Sequence, residues 1–169
     1  MRRVTLVRHG RAAPQAAGGD FFRPLDDQGR SEVARTAIAI GAAVRTPPDA
    51  VLASAALRTR ETAQILHDHW VPAVLSSLPL AFARELYHAD PQVLEQALRS
   101  TAADVHHLLL VGHNPGISEL ALRWARQLGK PHHFDGLDTA GWCSAGFPIS
   151  DWSALGVPCE ARFDPAPHG

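Results

Sequence analysis

The sequence predicts an α/β protein of three layers, a mainly parallel sheet with helices on both faces. Three observations lead there. Short β-rich runs alternate with amphipathic helical periods. The clearest runs, Val4–Val7 and Leu108–Val111, suit strands buried on both sides. The connections are short, with no repeat and no linker. A length of 169 residues fits one domain spanning 1–169. Hydrophobic residues at 46% and charged residues at 20% exclude an intrinsically disordered chain.

Taken in order, Val4–Val7 is the first strand, and residues 10–28 form a Gly/Pro/Asp loop without periodicity. From Ser31, the 4-3-4 spacing of Val33, Ala37, Ile40 and Val44 predicts a helix that stops before Pro47-Pro48. Ala50–Ala53 is a second strand. Ser54 then caps a helix carrying Leu57, Ile65 and Leu66 to about Trp70. Residues 73–82 read as extended. Asp90-Pro91 is an N-cap with proline in the first helical position, and Val93, Leu94, Ala97 and Leu98 form the buried stripe. After Leu108–Val111, Asn114 is the expected cap and Pro115 the first residue of a helix. That helix buries Ile117, Leu120, Ala121, Trp124 and Leu128 and is closed by Gly129. Two weaker strands, near 140–147 and 159–164, flank a turn at Ser150–Trp152. Parallel crossovers should be right-handed.

A net charge of −1 argues against nucleic acid and anionic membranes as partners. No apolar run is long enough to cross a bilayer. Met1-Arg2-Arg3 leads into an apolar stretch too short for a secretion signal, so a cytoplasmic location is expected. The chain has 15 Arg and one Lys, with abundant Ala, Gly and Pro, as a GC-rich genome produces. Arginines must therefore be argued from position. Residues 1–30 hold six Arg against three Asp, whereas 131–169 hold one Arg against five acids. Cys143 and Cys159 lie outside any CxxC pattern and read as reduced thiols.

In an open α/β sheet the ligand crevice lies beyond the carboxyl ends of the strands. Three such ends carry cationic or imidazole residues: Arg8-His9-Gly10, Ser54 with Arg58, and Gly112-His113-Asn114. Two guanidiniums and two imidazoles at one crevice repel one another, and unpaired buried cations are costly. A bound dianion offsets that cost. Phosphate fits best, because arginine offers it a planar fork of donors.

These segments bear a family resemblance. Arg8-His9-Gly10 after an N-terminal strand, Ser54-Ala55-Ala56-Leu57-Arg58 followed by Thr62-Ala63, and Val111-Gly112-His113-Asn114-Pro115 together resemble the histidine phosphatase (phosphoglycerate mutase-like) superfamily. Asp20, Arg23-Pro24-Leu25, Gly29, Glu85-Leu86-Tyr87-His88-Ala89 and Thr139-Ala140 are similar to its short SixA-type phosphohistidine phosphatases, and the match runs over about 3–165. The resemblance implies a phosphoglycerate mutase-like fold and a bacterial, metal-independent phosphatase. His9 would be the nucleophile forming a transient phosphohistidine. Arg8, Arg58 and His113 would hold the phosphoryl oxygens, and Gly10 would let the backbone pass close to them. The guanidiniums of Arg8 and Arg58 should keep His9 neutral. Glu85 is the candidate acid by sequence order. Apart from the resemblance, Asp20, Arg23 and His88 are candidates for the wall of the site, with a local ion pair of Asp20 and Arg23 as the alternative. The spacings are minimal, so an uncovered site is expected. Such a site favours a phosphoryl group displayed on a protein histidine, in a phosphotransfer domain or carrier. A small-molecule phosphomonoesterase or mutase is the alternative within the family, and an idle phosphate-binding adaptor the alternative outside catalysis.

The remaining residues have plainer readings. His67 and His69, His106 and His107, and His132 and His133 lack the further carboxylate or cysteine that zinc needs. All six read as surface or edge residues, and no metal or other cofactor is expected. Arg60 reads as a helix-surface residue, and Trp70, Trp124, Trp142 and Trp152 as core. Nothing suggests an obligate interface, so a monomer is expected.

Overall fold

Four parallel strands form most of one six-stranded sheet in the computed structural model, which describes residues 1–70, 77–129 and 134–164. The strands are β1 (Arg2–Arg8), β2 (Ala50–Ser54), β3 (Leu80–Ala83), β4 (His107–Gly112), β5 (Trp142–Phe147) and β6 (Glu160–Phe163). Their spatial order is β3-β2-β4-β1-β5-β6, with β5 and β6 antiparallel to their neighbours. The helices are α1 (Asp27–Val44), α2 (Leu57–Trp70), α3 (Pro91–Arg99) and α4 (Gly116–Gln127). Part of the expected extended segment at 73–82, and the His132-His133 pair, fall outside the described residues.

Alternation along the central strands separates two cores. Val4, Leu6, Leu108 and Leu110 pack with Leu94 and Leu98 of α3 and Ile117, Leu120 and Trp124 of α4. Val7, Val51, Leu109 and Val111 pack with Val33 and Ile40 of α1 and Ala63, Leu66 and Trp70 of α2. Each fully buried Leu or Val contributes about 1.5–3 kcal/mol, so the central strands anchor both layers. The register aligns their carboxyl ends, with Arg8 opposite Gly112 and Ala53 opposite Val111. His9, His113 and the end of β2 therefore start from one level of the sheet.

Several boundaries differ from the sequence expectation. α1 starts at Asp27, with the Asp26 side chain accepting from the Gly29 amide, because a polar first turn hides its apolar period. The buried side of α2 is built from Arg58, Thr59, Thr62, Ala63, Leu66 and Trp70, while Leu57 and Ile65 are half-buried. Val93 is exposed and Ala97 half-buried on α3, where Leu94 and Leu98 carry the packing. α4 starts at Gly116, and the Asn114 side chain instead donates to Leu137 O and accepts from Ser118 Oγ. A Cβ at Gly116 would lie 1.9 Å from Ala89 O. This glycine thus permits the approach of α4 to the segment that carries Tyr87 and His88.

His107 is buried, not at the surface. It occupies the first residue of β4 on the α1/α2 side, with Nδ1 3.1 Å from Thr46 O and 3.2 Å from Pro47 O. Nδ1 faces only carbonyls and so carries the proton, leaving Nε2 as acceptor 2.8 Å from Thr5 Oγ1. Burial pushes its pKa down to about 4. The unfolded chain then binds the proton first, so stability is complete above about pH 6.5 and declines as pH falls towards 4. Urea unfolding from pH 7 to 4 should give a falling midpoint, with a shallower fall in His107→Asn. Parallel slopes in the two proteins would remove His107 from the explanation.

Candidate active site

His9 follows β1 directly and is held by its backbone. Its amide donates to Gly112 O, its carbonyl accepts from the Ala140 amide, and the next amide, Gly10 N, donates to Thr62 Oγ1 at 3.1 Å. A Cβ at Gly10 would meet Val33 Cγ2 at 2.7 Å and Gly29 O at 2.8 Å. The glycine is thus required by packing under α1, and its N–H is used within the fold. His9 Nδ1 lies 2.8 Å from Gly10 O, so Nδ1 carries the proton and Nε2 carries the free lone pair. Burial is the largest influence on His9 and lowers its pKa to about 4. Arg58, Arg8 and Arg23 push in the same direction, so the guanidiniums add to an effect that desolvation leads.

Arg58 is the second residue of α2 and is 1% exposed. Its Nε donates to His9 Nε2 at 3.3 Å and its Nη2 to His113 Nδ1 at 3.3 Å. A guanidinium can only donate, so His113 Nδ1 is unprotonated and His113 Nε2–H donates to Ser54 Oγ at 2.8 Å. Burial, followed by the neighbouring His9 and Arg58, lowers the His113 pKa to about 3. The two rings are 5.2 Å apart at 61°. Both imidazoles therefore aim a lone pair at one guanidinium.

The rest of the Arg58 fork is taken by the loop after β1. Nη1 donates to Asp20 O at 2.7 Å and Nη2 to Asp20 Oδ2 at 2.9 Å. Tyr87 Oη donates to the same carboxylate oxygen at 2.6 Å, His88 Nε2 lies 3.3 Å from it, and Arg23 Nε pairs with Oδ1 at 3.0 Å. The Tyr87 hydrogen bond, then Arg58 and His88, hold the Asp20 carboxyl well below the usual range despite some opposing desolvation. The expected charge imbalance is thus met in part from inside the chain: besides its ion pair with Arg23, Asp20 supplies a carboxylate to the Arg58 fork.

Arg8 is half-buried, with Nη1 donating to Leu137 O at 3.1 Å. Its Nε is buried and, among the described residues, has no hydrogen-bond partner. Asp20, Arg23 and His88 all join the cluster. Glu85 does not: it is exposed and makes no hydrogen bond or ion pair among the described residues. Sequence reasoning missed the roles of two members. Ser54 was placed beside Arg58 at the crevice but given only a capping role; its hydroxyl fixes the His113 tautomer and makes only a 3.4 Å contact with the Ala56 amide. Tyr87 stands inside the Glu85–Ala89 stretch and is the single tyrosine of the sequence, a signal that was available. Among the described residues no three His, Cys, Asp or Glu side chains are grouped to hold a metal ion. No described helix is long and apolar enough to cross a membrane.

Comparison with known proteins follows the same lines. Residues 4–79 match the model of the histidine phosphatase superfamily, branch 1. Comparison with curated protein sequences gives no match. Among solved structures, one described as a SixA phosphohistidine phosphatase from Agrobacterium tumefaciens is 26% identical, with 85% of this chain and 90% of that chain covered at a TM-score of 0.69. The protein histidine phosphatase SixA complexed with tungstate is 24% identical, covering 95% and 96%, at a TM-score of 0.70. A mycobacterial glucosyl-3-phosphoglycerate phosphatase shares the fold at 17% identity, covering 97% of both chains, at a TM-score of 0.61. The chain is thus similar to the histidine phosphatase superfamily over residues 4–79, and beyond residue 79 it shares the fold of the SixA structures.

Proposed function

We propose that this phosphatase removes phosphoryl groups from histidines of other proteins through a transient phosphoryl bond to His9 Nε2. The observation that carries the reading is the tautomer of His9. Nδ1–H is tied to Gly10 O, and the Nε2 lone pair faces the Arg58 guanidinium, where a phosphoryl group would be held. In the first step Nε2 forms a bond to phosphorus as the phosphorus–nitrogen bond of the substrate breaks. Near neutral pH the substrate ring can carry a proton on its other nitrogen and leave as neutral imidazole, so no dedicated acid is needed. In the second step water attacks phospho-His9. The ring still holds Nδ1–H and departs neutral, and the proton of water leaves with the phosphate.

Arg58, Arg8 and His113 would stabilise the oxygens in both steps. The unpartnered buried Arg8 Nε supports an oxyanion there, since a buried N–H without an acceptor costs about 1–3 kcal/mol. The relative crystallised with tungstate, a tetrahedral oxyanion, supports the same reading. The test sets a histidine-phosphorylated phosphotransfer protein against a panel of sugar and nucleotide monophosphates at neutral pH. The phosphoprotein should lose its phosphate with the higher kcat/KM. Rapid turnover of the monoesters without turnover of the phosphoprotein would favour a small-molecule phosphomonoesterase or mutase.

A further inference from the structure

Beside the site, aromatic rings and guanidiniums form a band that the chemistry above does not use. Phe22 is 54% exposed and Phe82 39%. Single exposed apolar residues are ordinary, but Phe22 is joined to the site by stacked neighbours, and Phe82 carries an arginine of α2, the helix that holds Arg58. Phe21 packs on Phe22 at 5.4 Å and on Tyr87 at 5.0 Å, and Tyr87 holds Asp20. The Arg84 guanidinium stacks 5.3 Å from the Phe21 ring, and that of Arg60 4.8 Å from Phe82. Among the described residues neither Arg60 nor Arg84 makes a side-chain hydrogen bond or ion pair, and both are exposed. Stacking orients each guanidinium while leaving its N–H edge to an incoming acceptor.

We propose that this band docks the protein that carries the phosphohistidine, through an apolar patch of that protein edged with carboxylates. The inference rests on the phosphoprotein reading above and deepens it. Charge complementarity selects the occupant: two free guanidinium edges call for carboxylates, and the exposed Phe22 and Phe82 call for apolar side chains. Aromatic residues and arginine are the types that concentrate binding energy at protein interfaces. A small phosphomonoester would gain nothing from groups placed outside the phosphoryl site.

The test compares two substrates of the intact protein, a histidine-phosphorylated phosphotransfer protein and phosphoramidate, which has the same scissile bond and no surface to dock. The double variant Arg60→Glu/Arg84→Glu should raise KM for the phosphoprotein by about tenfold or more with kcat retained. Phosphoramidate hydrolysis should stay within about twofold. The wild-type KM should rise with salt above about 0.1 M, and the variant should lose that dependence. Phe22→Ser should raise the phosphoprotein KM alone, without any charge change. Equal losses on both substrates, or no loss on either, would overturn the docking surface. Wild-type protein that turns over phosphoramidate but no phosphoprotein would overturn the function and the surface together. Wild-type turnover of the phosphoprotein that all three substitutions leave unchanged would overturn the surface alone.

Discussion

His9→Ala should lower phosphoryl turnover by roughly 10⁴-fold or more, because it removes the nitrogen that takes the phosphoryl group in the proposed mechanism. Neighbouring donors would still bind an oxyanion, so phosphate inhibition should persist in part while hydrolysis is lost. Acid–base behaviour follows from the same ring. Burial places the His9 pKa at about 4, so its lone pair is available throughout the neutral range. The acid limb of kcat/KM assigned to the free enzyme should fall near pH 4, not near the ordinary imidazole value of 6.5. Rapid quenching during turnover should trap a protein-bound phosphoryl group with the acid lability of a phosphoramidate, absent from His9→Ala. A variant retaining a tenth of wild-type hydrolysis would remove His9 from the reaction.

What the sequence revealed of this site, and what it hid, divides along physical lines. Arg8, His9 and His113 were legible because each stands within a residue of the end of a buried apolar strand, and the register sets those ends level. Arg58 was legible through Ser54 before it and Thr62-Ala63 after it. Ser54 was misread because a serine before a helix usually serves the nearest amides, whereas here its hydroxyl is drawn to a histidine 59 positions away. Local pattern cannot see that partner. His107 was misread for a related reason. Its neighbour His106 is exposed, and the carbonyls of Thr46 and Pro47 that make burial tolerable come from the end of a different element. Asn114 looked like a cap by residue type, but its amide found an acceptor in Leu137, 23 positions away. The strands and helices themselves were readable from periodicity. The start of α1 was not, since its first turn carries no apolar period to read.

Arg58→Ala should cost about 10³-fold in kcat, the scale seen when a donor to developing phosphoryl or oxyanion charge is removed. Arg58→Lys should recover little of it. One guanidinium meets His9, His113 and two atoms of Asp20 with four directed N–H bonds, a geometry a single ammonium cannot reproduce. Asp20 makes this prediction sharper. Its carboxylate lies on the Arg58 fork, where the oxygens of an incoming phosphoryl group must find donors, so it competes with them. Asp20→Asn keeps the backbone contact and removes the charge. Inorganic phosphate should then inhibit about 5- to 10-fold more tightly, equivalent to roughly 1 kcal/mol for a partly exposed carboxylate. In Arg58→Ala the same substitution should change phosphate inhibition little, because the competition takes place on that guanidinium. Weaker inhibition in Asp20→Asn would mean that the carboxylate braces Arg58 for the anion and does not contend with it. Phosphate inhibition equally tight in Arg58→Ala and in the wild type would place the oxyanion site away from residue 58 altogether.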